Sequence, residues 1–204
     1  TMIVMELMNV IMKNLLFGIL KKHQIVFICP EFLIGINLYN DLAKQENTSV
    51  KFKEFRNIYF ENIDGYNRLL LSHEFYAHFR SFDYMLIYQT DAYVFSDQLD
   101  FWCKQGYDYI GAPWRKPKEG QLVGNGGLSL RSVTKMVEIC DKYSPNQQIW
   151  EDIFFIKHLK GQGVADYETA KRFSMEDVYS INPLGVHNPI RHIDPELLRS
   201  VLFK

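Results

Sequence analysis

Apolar and polar positions divide this chain into short strands alternating with helices. Ile25-Val26-Phe27-Ile28-Cys29 is an unbroken apolar run closed by Pro30, which reads as a short strand buried on both faces. Over 50–55, Val and Phe alternate with Lys and Glu, the pattern of a half-exposed strand. Leu69, Leu70, His73, Tyr76 and Ala77 share one face of a helix expected between 66 and 79. The apolar strand 84–88 follows and runs toward Asp91, and a second short strand at 107–110 is broken by Gly111-Ala112-Pro113. A glycine-rich turn, Gly124-Asn125-Gly126-Gly127, is expected to enter a helix on which Arg131 points away. In that helix Val133, Met136, Val137 and Cys140 recur at i, i+3, i+4 and i+7, with Ser132 as N-cap. A last helix over 151–160 stops at Gly161 and carries Glu151-Asp152 in its first turn. After Pro183 the prolines at 183, 189 and 195 predict a surface loop.

This alternation predicts an α/β domain with a largely parallel or mixed sheet, in which ligands gather at the carboxyl ends of strands. Asp91 falls at such an end. The expected organisation is one domain over 1–204: an amphipathic helix at 1–22, a core at 23–187 and a tail at 188–204. Within residues 2–20, Glu6, Asn9 and Lys13 form a polar stripe on one helical face. Two charges at mid-bilayer, each costing roughly 3 kcal/mol, argue against a spanning helix. No basic start or small-residue cleavage site marks a signal peptide. A packed helix is the expectation, with a peripheral contact at the inner face of a membrane as the alternative.

The chain has 204 residues, 47% hydrophobic and 23% charged, which suits one folded domain. The net charge is -1 and no long Lys/Arg run occurs, so a nucleic-acid partner is not expected. Cys29, Cys103 and Cys140 are few and widely spaced, without a CxxC pair. They predict neither a zinc site nor a disulfide framework, and a reducing cytoplasm is the expectation.

The phrases Gly65-Tyr66-Asn67-Arg68-Leu69, 84–91, 107–114, 124–131, Glu151-Asp152 and Pro183-Leu184-Gly185-Val186-His187 stand in a fixed order. In that order and spacing the chain resembles the glycosyltransferases of the GT-A fold, and more closely a little-characterised microbial and fungal family assigned to it. The resemblance implies a single-domain, Rossmann-like mixed sheet flanked by helices. It also implies transfer of a sugar, with inversion, from a nucleoside diphosphate sugar to a hydroxyl of a glycan acceptor, as in polysaccharide or glycan biosynthesis. The partners implied are the nucleotide-sugar donor and the glycan.

Roles follow position by position. Asp152, with Glu151 beside it, matches the acid that deprotonates the acceptor, and a first-turn carboxylate is one the helix dipole keeps charged. Asp91 and His187 match the ligands of a divalent ion, Mn²⁺ or Mg²⁺, that meets the diphosphate. Gly126 and Gly127 match a loop lining the sugar pocket, where glycines permit positive φ and close backbone approach. Tyr66, Asn67, Arg68 and Gln89 are assigned to the donor, Arg68 to phosphate and Asn67 to base or ribose. Trp114, Asn125 and Trp150 are assigned to the acceptor. Two features depart from the pattern. The usual Asp-x-Asp stands here as Gln89-Thr90-Asp91, and no apolar strand is evident before His23. Those departures support an alternative, a catalytically degenerate protein that binds a nucleotide sugar or glycan. A phosphotransferase with an Asp nucleophile fails on position, since such acids follow the first strand.

Overall fold

The computed structural model describes residues 19–31, 50–145, 149–192 and 194. Residues 19–22 are turn; the rest of the expected 1–22 helix lies outside the described residues, as does most of the expected tail. The strands are β1 (Ile25–Pro30), β2 (Val50–Phe55), β3 (Tyr84–Tyr88), β4 (Ala92–Val94), β5 (Tyr109–Ile110), β6 (Pro113–Lys118), β7 (Gln121–Val123), β8 (Leu128–Ser132), β9 (Ser174–Met175) and β10 (Gly185–His187). The helices are α1 (Ile63–Leu70), α2 (His73–Ala77), α3 (Leu99–Lys104), α4 (Val133–Lys142), α5 (Glu151–Leu159), α6 (Tyr167–Phe173) and α7 (Pro189–His192). The class is therefore mixed α/β.

The expected largely parallel or mixed sheet is divided into several small ones, one of them mixed. β1 and β2 pair in parallel. β8 takes antiparallel β3 on one side and β5 on the other. β10 lies between antiparallel β4 and parallel β9, and β6 and β7 form a hairpin. β1 is only half-buried along its middle, so it is not covered on both faces as its apolar run suggests. The helix expected across 66–79 is two, because Ser72 accepts from the Phe75 amide and starts α2 as an N-cap. α1 begins at Ile63 with Asn62 as its cap, so Tyr66 to Arg68 lie inside the helix and not at its start. Past Pro183 the chain is also more ordered than a loop, forming β10 and α7.

Of these differences, the one at β8 matters most for the site. Residues 128–132 are a strand, and the helix begins only at Val133, where Ser132 does accept from the Lys135 amide. Alternation along β8 sends Leu128 and Leu130 into a core with Val94, Trp102, Phe173 and Leu184. Ser129 and Arg131 consequently face the other way. There Phe75, Tyr76, Met136, Phe154 and Phe155 form the larger core between α2, α4 and α5. Burying each of those rings stabilises the fold by about 1.5–3 kcal/mol. Among the described residues no helix is long and apolar enough to cross a membrane.

Candidate active site

A cleft of about 610 Å³ opens where α1, the β6–β7 hairpin, the glycine loop, the start of α5 and the end of β10 meet. Its walls collect Tyr66, Asn67, Gln89, Trp114, Asn125 and Gly126. They also collect Gly127, Trp150, Glu151, Asp152 and His187. Residues spread across more than a hundred positions of sequence thus share one concavity.

Arg131 organises the wall behind the glycine loop. Its side chain is fully buried and holds Glu151 in a two-pronged ion pair, Nη1 to Oε2 at 2.6 Å and Nη2 to Oε1 at 2.9 Å. The remaining donors reach Ser129 Oγ at 2.9 Å, Tyr76 Oη at 2.9 Å and Tyr109 Oη at 3.2 Å. The guanidinium also lies 4.9 Å from the centre of the Tyr109 ring. Arg131 was expected on a helix pointing away; strand alternation turns it inward instead. Glu151 is consequently committed to Arg131.

The same packing explains the glycines. A Cβ on Gly126 would stand 2.3 Å from Glu151 Oε1, and one on Gly127 would stand 2.1 Å from His187 Nε2. Neither residue has positive φ, so close approach and not turn geometry requires them; within the loop only Gly124 has positive φ. Asn125 Oδ1 accepts from the Gly127 amide at 3.1 Å, which closes the loop on itself.

Of the Glu151-Asp152 pair, Asp152 is the carboxylate left to the cleft. It is 8% exposed, and its Oδ1 accepts the Ile153 amide at 2.7 Å. Burial, with the Glu151 charge adding to it, raises its pKa to about 6, while nearby Lys118 pulls the other way. Burial thus opposes the charge that a helix start favours, and a carboxyl with a pKa of about 6 is still mostly ionised at neutral pH. Asn67 supports this corner by accepting the Glu151 amide on Oδ1 at 2.8 Å, while its Nδ2 donates to the Ile63 carbonyl. Both ends of the Asn67 amide are thus used within the protein.

A polar chain crosses the opposite wall. Gln89 Nε2 donates to Tyr66 Oη at 2.6 Å, which fixes the amide so that Oε1 faces His187 Nε2 at 2.9 Å. His187 Nε2 also lies 3.3 Å from Asp91 Oδ1, and Nδ1 lies 3.1 Å from Glu176 Oε1. Burial opposes a charge on His187, but the Asp91 and Glu176 carboxylates prevail and raise its pKa to about 9. In return His187 holds Asp91 below the usual carboxylate range.

Gln89 Oε1 and Asp91 Oδ1 both face His187 Nε2, with Glu176 behind the ring. A carboxylate on the far nitrogen is the usual orienting partner of a metal-bound imidazole. This set fits a divalent ion with coordination positions left for ligand oxygens, provided Nε2 releases its proton. One donor is an amide, and among the described residues no group of three or more His, Cys, Asp or Glu side chains could hold an ion.

Two expected residues stand apart. Arg68 lies on the exposed face of α1, its guanidinium 3.4 Å from the Ile58 carbonyl, and lines no part of the cleft. Asp91 lines instead an adjoining, largely apolar cavity of about 850 Å³ between β1 and β3, which shares Ile63, Tyr66 and Gln89 with the cleft. The two tryptophans divide: Trp114 is 3% exposed beneath the hairpin, and Trp150 is 58% exposed at the rim. Glu176, Asp177, Arg115, Lys118, Asn188 and Arg191 line the cleft without having been singled out from sequence. Only the Arg115-Lys116-Pro117-Lys118 run beside Trp114 offered a signal.

A search of curated proteins returns no match. Among solved structures, "Crystal Structure of A197 from STIV" is 16% identical over 68% of this chain and 78% of that one, with a TM-score of 0.36. A likeness that loose carries no argument about fold or activity. A family model matches residues 49–187, more than half of the chain, and the protein belongs to the family described as Protein of unknown function (DUF5672).

Proposed function

We propose that the protein is an inverting glycosyltransferase with a single GT-A domain, moving a sugar from a nucleoside diphosphate sugar to a hydroxyl on a glycan acceptor. The observation that carries the reading is Asp152, a carboxylate raised to about pH 6 in the wall of a cleft large enough for a sugar donor and acceptor. A base of that pKa is ionised at neutral pH yet basic enough to take a proton as it becomes acidic. Exposed Trp150 offers a ring face for stacking.

In this reaction Asp152 takes the proton of the acceptor hydroxyl as that oxygen bonds to the anomeric carbon. The bond from that carbon to the phosphate oxygen breaks, and the diphosphate leaves with the electron pair. Mn²⁺ or Mg²⁺ on Asp91, His187 and Gln89 would supply charge neutralisation to the leaving group. Glu176 keeps the His187 ring oriented, and Arg131 holds Glu151 away from the acceptor. The three free cysteines suit a reducing cytoplasm. Peripheral membrane contact through residues 2–20 falls outside the described residues, apart from Ile19 and Leu20.

A panel of nucleoside diphosphate sugars, screened by thermal shift and by transfer with and without Mn²⁺, tests the assignment. Asp152→Asn should lower transfer by roughly 10² to 10⁴ while donor binding persists. Near-normal turnover in that variant would remove Asp152 as the base. A second reading, a binding protein without turnover, draws on the single acid in Gln89-Thr90-Asp91. Donor binding with no transfer to any acceptor would favour it.

A further inference from the structure

The cleft carries cations that the assigned chemistry leaves unused. Arg115, Lys116, Lys118 and Arg191 line it, and among the described residues none of them forms an ion pair with a carboxylate. Their neighbours divide them. Arg191 sits one turn past Asn188, bonding its amide to the Asn188 carbonyl at 3.2 Å, and the Asn188 amide in turn reaches the Asp91 carbonyl at 3.0 Å. Arg115 Nε donates to the carbonyl of Asp177, the residue after Glu176, which holds His187. The Arg115 side chain and the Arg191 backbone are thereby fixed beside His187. Lys118 stands over the Trp114 ring, 4.5 Å from its centre, and its charge acts on Asp152.

The geometry points to a diphosphate clamp made by Arg115 and Arg191, holding the anion by side-chain charge as well as by any metal. The assignment of that diphosphate to a sugar donor rests on the transferase reading; the clamp itself does not. Guanidinium is the side chain suited to this task, because its planar fork meets two phosphate oxygens at once. Two such forks match a group with several negative charges better than a single carboxylate.

The test is isothermal titration of inorganic diphosphate into the protein in EDTA, at low and at physiological salt. The wild type should bind, more weakly at the higher salt as screening increases. Arg115→Gln and Arg191→Gln should each weaken binding about tenfold, since each removes a charged hydrogen bond. Arg115→Lys and Arg191→Lys should recover part of that loss. Lys118→Gln should bind nearly as the wild type does. Failure of the folded wild type to bind in EDTA, unchanged binding in both Gln variants, or an equal loss in Lys118→Gln would each overturn the clamp. A uridine diphosphate arm separates the sources. The same loss there supports a nucleotide-borne group, and a loss with inorganic diphosphate alone supports a diphosphate carried otherwise. Diphosphate binding without transfer to any acceptor would sink the transferase reading and leave the clamp standing.

Discussion

Replacing Arg131 by Met tests the internal support of the cleft. Met keeps a long apolar stem between the Tyr109 and Phe155 rings and removes only the charged fork. Glu151, 3% exposed, is then left with a buried charge and no cation, while Tyr76 Oη, Tyr109 Oη and Ser129 Oγ each lose a donor. Breaking one side of a buried pair costs about 3–5 kcal/mol. At about 2–4 °C per kcal/mol for a chain of this size, the melting temperature should fall by about 6–20 °C. Urea denaturation followed by far-UV circular dichroism reads the same loss as a lower midpoint with an unchanged slope. The double variant Arg131→Met/Glu151→Met should recover most of it, because a buried pair replaced by apolar groups of similar size is often neutral. A loss below about 1 kcal/mol in the single variant would mean that the pair does not carry this region. A double variant no better than the single one would show that the hydroxyls, and not the uncompensated Glu151 charge, set the cost.

Three further outcomes are expected. The acid limb of kcat/KM, which reports the free enzyme, should have its midpoint near pH 6 as Asp152 ionises. Lys118→Gln should move that limb upward, since the lysine lowers this pKa, and an unmoved limb would assign it to another group. His187 has a folded pKa of about 9 against an ordinary 6.5, so its stabilisation is fully present below pH 6.5 and is lost as pH rises through 9. Stability read from melting curves between pH 6 and 10 should therefore fall by about 3 kcal/mol, and His187→Gln should flatten that decline; equal slopes in both proteins would refute the pairing. Gly127→Ala should destabilise by about 1–3 kcal/mol, because its Cβ meets the His187 ring. A melting temperature within a degree of the parent would show that the ring moves aside freely.

Local signals in the sequence reported local structure well. The strands at 50–55 and 84–88, the Ser132 cap and the α5 helix all stand where periodicity and capping chemistry put them, since each depends on a few adjacent residues. Pairing between strands was not legible, because register belongs to residues far apart in the chain, and the one expected sheet, parallel or mixed, is several small ones with mostly antiparallel pairs. Leu128-Ser129-Leu130-Arg131 shows the ambiguity in one place. Two leucines and a serine suit strand or helix start alike, and only the partner at Glu151 explains a buried arginine. Most of the cleft was legible because its residues recur as recognisable phrases. Glu176 and Arg191 were not, since neither lies in a periodic or motif-like stretch, and their roles exist only where β9 and α7 approach His187.

The bond from Asn67 Oδ1 to the Glu151 amide joins residues 84 positions apart. It has a kinetic consequence. The N-terminus of α5 lacks a side-chain cap from Trp150 and borrows one from α1, so the first turn that carries Asp152 gains this bond only after the intervening chain has folded. Loop closure over that span must be offset before the bond contributes, so the corner is expected to form late in folding and to open early in unfolding. Amide exchange at Glu151 should accordingly track opening of the α1–α5 contact, and a chain translated only as far as α4 would contain the glycine loop but not the cleft.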